Sequence, residues 1–319
     1  MSDTTTIEWT DRTWNPVTGC TKVSAGCDNC YAETIAERFR GHTAFPKGFD
    51  IQIRTDKVND PLKWRKPARV FVNSMSDLFH DEVDQAWIAD IFAVMAAAHR
   101  HTFQLLTKRH ARMRHLLNDP AFVNEVRTRA LSKGLPPDQW AWPLPSLWLG
   151  VSVENQQWAN IRIPALLRTP AAIRFLSCEP LLGPVNLKQA VRTMGSERGH
   201  GLTASYVHAS DCCHKYHGID WVIVGGESGR KARPMDPTWA QSLRDQCAEA
   251  NVPFFFKQWG EYAPTGYLVI GGTSRGVLLV GDPVDDMGHR VEIARIGKKN
   301  AGRQLDGRTH DAFPEPAHA

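Results

Sequence analysis

Short apolar runs that end in polar residues recur along this chain, and each is followed by a stretch with helical periodicity. The runs near Thr13–Val17, Val70–Asn73, Phe103–Leu106, Leu147–Val151, Ile173–Leu176, Trp221–Val224 and Pro253–Phe256 predict strands. Helices are predicted between them, near Asp28–Phe39, Asp84–His99, Ala111–Leu117 with Pro120–Ser132, Gln156–Leu167 and Pro237–Ala250. Alternation of this kind builds parallel strands joined by helical crossovers. Six to seven such units predict an α/β fold, a complete or partial (β/α) barrel. An open doubly wound sheet is the alternative, because counting strands does not show closure.

The pattern lapses in two places. From Lys188 to Gly218 a glycine- and histidine-bearing insertion carries Cys212-Cys213-His214, with His208 and His217 nearby. Those side chains are a candidate zinc set, although adjacent cysteines chelate one ion awkwardly and no C-x2-C spacing is present. After Glu261, alternating Gly, Val and Leu over Thr265–Arg290 suit a β-hairpin. The segment Ile296–Arg308 then sets Lys298, Lys299, Arg303 and Arg308 against the acid Asp306, a strip suited to tracking phosphates or to forming a solvated tail. The resulting domain reading is a barrel-like, metal-binding domain over residues 1–263, with the insertion at 188–218. A C-terminal β-rich appendage with a basic extension, residues 264–319, packs on it.

A parallel barrel brings the C-terminal ends of its strands, and the loops that leave them, to one face. Polar residues stand there after successive predicted strands: Asn73, Ser74, Ser76 and Asp77 after the second, Thr107, Lys108 and Arg109 after the third, Ser152, Glu154 and Asn155 after the fourth. Ser177, Cys178 and Glu179 come after the fifth, Gly225, Gly226, Glu227 and Ser228 after the sixth, and Lys257, Gln258 and Trp259 after the seventh. Shared position marks Asp77, Lys108, Glu154, Glu179 and Cys178 as candidate catalytic groups. Asn73, Ser74, Ser152, Gly225, Gly226 and Glu227 are candidate cofactor-binding groups. Of these residues Asn73, Asp77, Lys108, Ser152, Glu154, Glu179 and Glu227 are expected to line one cavity with Ser76 and Lys257. Each also admits a structural role. Asp77 can cap the next helix; Glu154 and Glu179 can pair with Lys108, Arg109 or Lys257; a lone cysteine in an apolar run, such as Cys178, is more often inert core. Gly225-Gly226 is not a nucleotide fingerprint, yet two glycines after a buried strand let a ligand approach the backbone.

The stretch after the first strand turns a generic α/β fold into a metal protein. Cys20, Cys27 and Cys30 are spaced C-x6-C-x2-C on a loop that Gly19 and Gly26 free to bend. Three thiolates leave a coordination position open, where four would close a structural site. A 4Fe–4S cluster with one open iron is the first reading. Zinc completed by a His or a fourth Cys from elsewhere is the alternative, and three unligated thiols the bland one. Seven cysteines, odd in number and unevenly clustered, argue for reduced thiols and a metal over a disulfide framework. Tyr31, directly after Cys30, can stack on an adenine or pack in the core.

The run Trp14–Ala32, with Phe71–Phe79, Gly150–Asn155, Cys178–Gly183 and Gly225–Gly229, resembles the phage-associated three-cysteine-motif family over residues 7–314 or so. That family occurs in phages and bacterial genomes and is similar at a distance to radical S-adenosylmethionine enzymes, spore photoproduct lyase among them. The resemblance implies a 4Fe–4S cluster on Cys20, Cys27 and Cys30, S-adenosylmethionine on its open iron, and a nucleic-acid or nucleotide substrate, as in DNA repair. The chain departs from the common radical-enzyme pattern C-x3-C-x2-C in its first gap, which is six residues here. A Gly-Gly-Glu motif helps hold the methionine amino group in those enzymes but comes after a different strand, so Gly225-Gly226-Glu227 takes no role from it.

A net charge of +4 permits a polyanionic partner without demanding one. Trp14, Trp259 and Tyr31 are candidate stacking faces for a nucleic-acid strand, with Lys108, Arg109, Arg230, Lys231 and Arg233 as candidate charges around them; plain core packing is the rival reading of the aromatics. No apolar run approaches the roughly 18 residues of a membrane span, and Met1–Thr6 has no signal-peptide core, so a cytoplasmic protein without a membrane partner is expected. No motif names a partner protein. Two function classes remain. One is an iron–sulfur enzyme of the radical S-adenosylmethionine type acting on a nucleic acid or nucleotide; the other is a metal-stabilised, zinc or iron–sulfur, nucleic-acid-binding or accessory protein without turnover.

Overall fold

Leu147–Ser152 and Ile173–Cys178 are buried at all six positions each, and Trp221–Gly225 at all five. Strands covered on both faces read as unbroken apolar runs, which is why they stand out in the sequence. The computed structural model describes residues 5–192, 205–206, 215–216, 218–264, 277–281 and 290–315. Seven strands form the main sheet: β1 (Arg12–Trp14), β2 (Arg69–Val72), β3 (Thr102–Thr107), β4 (Leu147–Ser152), β5 (Ile173–Cys178), β6 (Trp221–Gly225) and β7 (Phe254–Gln258). Their order in the sheet is their order in the chain. That is the order of a (β/α) barrel; a doubly wound sheet reverses direction at a switch point. Among the described residues no pairing joins β7 to β1, so the sheet is a partial barrel.

The helices begin where the sequence supplies caps. Asp84, Asp119 and Asp236 precede α2 (Gln85–Ala97), α4 (Pro120–Ser132) and α6 (Pro237–Glu249), and each carboxylate accepts a first-turn backbone N–H at 2.7 to 2.9 Å. Proline at the first position of α4 and α6 gives up only an N–H that would have had no helical partner. Other helices are α1 (Tyr31–Arg38), α3 (His110–Asn118) and α5 (Gln156–Leu167), with shorter ones at Asp60–Lys63, Leu187–Arg192 and Lys298–Ala301. Among the described residues no helix is long and apolar enough to cross a membrane.

The chain divides into two compact units, one comprising Met1–Val151 with Ala165–Phe175, the other Ser152–Pro164 with Leu176–Pro314. In the first, α2 is buried almost all round, through Ile88, Ala89 and the run Ile91–Ala96. Helix α1 turns Ala32 and Ala36 onto Phe45 and Met75, small residues that let the helix lie close. The first apolar run does not reach Val17 as one strand. Pro16 has no N–H for a ladder; β1 stops at Trp14, and Val17–Thr18 leave to pair antiparallel with Gln52–Ile53. The helix expected from Asp28 starts at Tyr31, after a 3-10 turn at Ala25–Cys27, with Cys30 as its N-cap residue.

In the second unit, β8 (Tyr262–Pro264), β9 (Val277–Val280) and β10 (Val291–Arg295) form an antiparallel sheet in the order β8-β10-β9. The rest of the expected hairpin, 265–276 and 282–289, lies outside the described residues, as do His208, Cys212, Cys213, His214 and His217 of the insertion. The backbone of the basic strip is packed, although Lys298, Lys299 and Arg308 stay exposed. Trp259 donates its backbone N–H to Gly302 at 3.2 Å and its indole N–H to Gln304 at 2.8 Å. Phe256 donates to His310 at 2.9 Å, and Phe313 lies against Trp221 and Phe255 with ring centres 5.0 and 5.5 Å away. The segment thereby covers the outer edge of β7, whose polar groups would otherwise be open to pairing with another chain.

Candidate metal centre and strand-end clusters

The cysteine loop leaves β1 through a turn that only glycine takes easily. Gly19 has φ +87°, and a Cβ there would stand 2.1 Å from the Asp50 carbonyl. Its N–H bonds to Met75 at 3.0 Å, and the Cys20 N–H to Phe49 at 3.2 Å, so the loop is pinned on two sides. Cys20, Cys27 and Cys30 are all half-buried thiols. Burial pushes the Cys20 thiol up to about 11; Asp77, Cys27 and Cys30 push the same way, and the Arg109 charge pulls it down. Among the described residues, no three His, Cys, Asp or Glu side chains converge as ligands of a single ion.

Beside the loop, the turn after β2 and the start of α3 are locked together by Asp77. Its carboxylate accepts the Phe79 N–H at 3.1 Å, the Thr107 hydroxyl at 2.7 Å and the Lys108 N–H at 2.9 Å, and it lies 3.8 Å from Arg109 Nη1. Arg109 in turn donates to the Thr21 hydroxyl at 2.8 Å and reaches Cys20 Sγ at 3.7 Å. His80 completes the clamp. Its Nδ1 accepts the Glu82 N–H, so the neutral ring carries its proton on Nε2 and donates to Thr21 at 2.8 Å. Burial first, then Arg109, holds the His80 imidazolium below its ordinary range, which keeps the ring neutral. Thr21 and His80 were invisible to sequence reasoning, because their roles depend on contacts between distant segments.

The same turn holds Asn73 in the left-handed region at φ 58°, with 2 % of its surface exposed. Among the described residues neither atom of its amide has a hydrogen-bond partner. A buried amide left without partners costs on the order of 1–3 kcal/mol. Ser74 donates to Asn15 at 3.2 Å while its carbonyl accepts the Tyr31 hydroxyl at 2.6 Å. Tyr31 nevertheless remains 53 % exposed. Three half-buried thiols thus stand on one loop, with a cation on Cys20 and a buried, unpartnered amide in the adjoining turn.

In the second unit the strand-end carboxylates are paired. Glu154 and Arg162 are both fully buried, 2.7 Å apart, and Arg162 also donates to the Ser152 carbonyl and lies over the Trp158 ring. A residue of the adjoining helix α5 is thus a partner of Glu154. Glu179 accepts from Lys257 at 2.8 and 3.0 Å and from Gln258 at 3.0 Å; Gln258 also donates to Ser228. Glu227 is held by Arg233 through the side-chain fork and the backbone N–H. Cys178 is fully buried, and burial raises its thiol, with Cys247 and Glu154 adding to the rise, so it lies in the core. Gly225 and Gly226 both lie against other parts of the chain. A Cβ on Gly226 would stand 1.9 Å from the Trp259 carbonyl, and one on Gly225 would meet the Glu179 carboxylate at 3.3 Å.

Of the expected stacking faces, Trp14 and Trp259 are core residues, 2 % and 4 % exposed, with indole N–H groups bonded to Lys57 and Gln304. Of the expected rim charges, Arg109 is held by Asp77 and Arg233 by Glu227, whereas Arg230 and Lys231 are exposed.

No curated protein matches this chain. A spore photoproduct lyase mutant with bound AdoMet and dinucleoside spore photoproduct is similar at 12 % identity, with a TM-score of 0.34, over 76 % of this chain and 73 % of that one. Spore photoproduct lyase complexed with dinucleoside spore photoproduct is similar over the same shares at 12 % identity and a TM-score of 0.33. Residues 4–314 match the family described as "Protein of unknown function (DUF5131)", and the chain belongs to that family.

Proposed function

We propose that this protein is an iron–sulfur enzyme of the radical S-adenosylmethionine type that acts on a nucleic acid or nucleotide. The reading is carried by the loop of three half-exposed thiols, pinned after β1 against the turn after β2, with Arg109 on Cys20. Cys20, Cys27 and Cys30 would hold the cluster. Bound there, a 4Fe–4S cluster would supply one-electron reduction to a sulfonium cofactor, the source of hydrogen-abstracting chemistry. The chain's own groups hold and orient. Arg109 favours the thiolate of Cys20, Asp77 and Thr21 position Arg109, Asn73 offers an amide to a polar ligand, and Tyr31 presents a ring beside the loop. Resemblance to the phage-associated three-cysteine-motif family, read from the motifs, supports the same assignment.

One observation favours a binding protein without turnover. Asp77, Glu154, Glu179 and Glu227 are all engaged by cations or backbone N–H groups, which takes them away from general acid–base work. Radical chemistry does not need a free base; other chemistry would. The test is anaerobic reconstitution with iron and sulfide. A brown band near about 400 nm with roughly four irons per chain, and 5′-deoxyadenosine formed from S-adenosylmethionine with a reductant, are expected. Cys27→Ala should abolish both. A colourless zinc-loaded protein would overturn the cluster, and a cluster that never cleaves S-adenosylmethionine would leave the binding protein.

A further inference from the structure

Among the described residues, the large apolar side chains left exposed are Tyr31, Ile35, Phe39, Ile53, Ile161 and Leu278. Three of the six belong to α1 and its C-cap residue, directly after Cys30: Tyr31 at 53 % exposure, Ile35 at 37 % and Phe39 at 43 %. A spacing of four puts them on one side of the helix, one per turn. Ala32 and Ala36 bury the neighbouring side against Phe45 and Met75, so the helix is docked without them. The Tyr31 ring is tethered, because its hydroxyl donates to the Ser74 carbonyl at 2.6 Å. The acids of α1 are neutralised in place, Glu33 by Lys22 at 3.4 Å and Glu37 by Arg40 at 2.7 Å. Thr34 turns its hydroxyl back onto the Cys30 carbonyl at 3.1 Å. The charge on the stripe itself is that of Arg38, exposed and three residues after Ile35. Two aromatic rings with a cation between the turns complement a ligand that has flat π-faces and negative charge. The three apolar side chains expose on the order of 250 Å², about a third of the area that each partner gives to a stable protein interface. A face of that size takes bases, not a subunit.

We propose that this stripe is a stacking platform for unpaired bases of a single-stranded nucleic acid, a proposal that rests on the nucleic-acid reading above. Successive side chains of the stripe stand about 6 Å apart along the helix axis. That is wider than the roughly 3.4 Å between stacked bases, so bases seated here are splayed from one another, as they are when single strands lie on aromatic side chains. The platform runs about 12 Å from Tyr31 to Phe39. Arg38 takes a phosphate alongside it. A strand held this way brings its end nucleotide to the start of α1, next to Cys30, while the stacking at Phe39 stays clear of the reacting atoms.

The test is fluorescence anisotropy of a labelled single-stranded oligonucleotide, titrated with the full chain over a series of salt concentrations. Phe39 carries it, being at the far end of α1 from the cysteines. Phe39→Ala is expected to lose about tenfold in affinity with no change in the slope of log affinity against log salt. Phe39→Leu, still apolar but without a ring, should lose most of the same, and Phe39→Trp should bind at least as well as wild type. Arg38→Gln should instead lower the slope by about 0.7, one phosphate contact. Ile161→Ala and Leu278→Ala trim exposed apolar side chains elsewhere and should change affinity by less than about twofold. Circular dichroism should show every variant folded. Phe39→Leu that binds like wild type, or Phe39→Ala that loses no more than Ile161→Ala, with intact wild-type binding, would overturn the platform and leave the nucleic-acid reading standing. A wild-type dimer in sedimentation that Phe39→Ala splits would overturn it in favour of a second copy on the stripe. Wild-type protein that fails to bind at low salt would overturn the nucleic-acid reading and the platform with it.

Discussion

Arg109 Nη1 stands 3.7 Å from Cys20 Sγ, bringing the start of α3 onto the loop after β1 across 89 residues of chain. It is held there by Asp77 and Thr21 rather than by the cysteine, so the cation is in place before any thiolate forms.

Arg109→Gln removes the charge that offsets part of the rise of the Cys20 thiol, which stands at about 11 with Arg109 in place. The thiolate fraction at pH 8 then falls. Slower iodoacetamide alkylation of Cys20, read by mass spectrometry on protein without metal, is expected, together with less iron bound per chain after reconstitution. Arg109→Lys should recover part of both. Unchanged alkylation would show that Arg109 acts on the fold alone.

Glu154→Gln strands the guanidinium of Arg162 without its counter-charge where neither residue touches solvent. Removing one partner of a buried pair costs about 3–5 kcal/mol, and the urea midpoint should fall accordingly. Glu154→Leu combined with Arg162→Met should recover most of the loss, because both desolvated charges then disappear together. A double variant no better than Glu154→Gln would mean that the Ser152 carbonyl contact and the Trp158 stack matter more than the charge.

Gly226→Ala places a methyl group 1.9 Å from the Trp259 carbonyl, and backbone must move to admit it. A loss of about 3 kcal/mol or more is expected. Gly183→Ala, whose new methyl would meet only Asn155 Cβ at 3.3 Å, should cost much less. Thermal midpoints of the two variants decide it.

His101 is buried, and its imidazole Nε2 lies 3.2 Å from the Pro61 carbonyl. Burial depresses its pKa, partly opposed by that hydrogen bond. The unfolded chain therefore binds a proton more readily than the folded one between the ordinary value of 6.5 and the depressed one. Its contribution to stability is complete above 6.5 and is lost as pH falls through the folded value. The denaturation midpoint should drop between about pH 7.5 and 5, and His101→Asn should flatten part of that slope.

The central strands were legible because β4, β5 and β6 are buried on both faces, and burial leaves an apolar run whatever the neighbouring segments are. The helices that begin at Asp84, Asp119 and Asp236 were legible because capping is local chemistry between residues two apart. Sequential order along the chain, and with it the partial barrel in place of a doubly wound sheet, came from the pairing of strands. The break of the first run at Pro16 was missed because an apolar period does not say which partner a strand will find.

The sequence by itself determined the α/β class and the three thiols on a glycine-bearing loop, since strand burial, capping and the C-x6-C-x2-C spacing are properties of neighbours along the chain. Tertiary structure decided which side chains are free to act. Glu154, Glu179 and Glu227 looked equally available, and each meets its cation only on folding: Arg162 eight residues on, Lys257 seventy-eight on, Arg233 six on. Trp14 and Trp259 looked like stacking faces and became core, while Tyr31 stayed open. Arg109 and Asn73 gained their significance the same way, one by reaching Cys20 and the other by being buried without partners. Charge pairing and desolvation act across space, and the distances that set them exist only once the chain is folded.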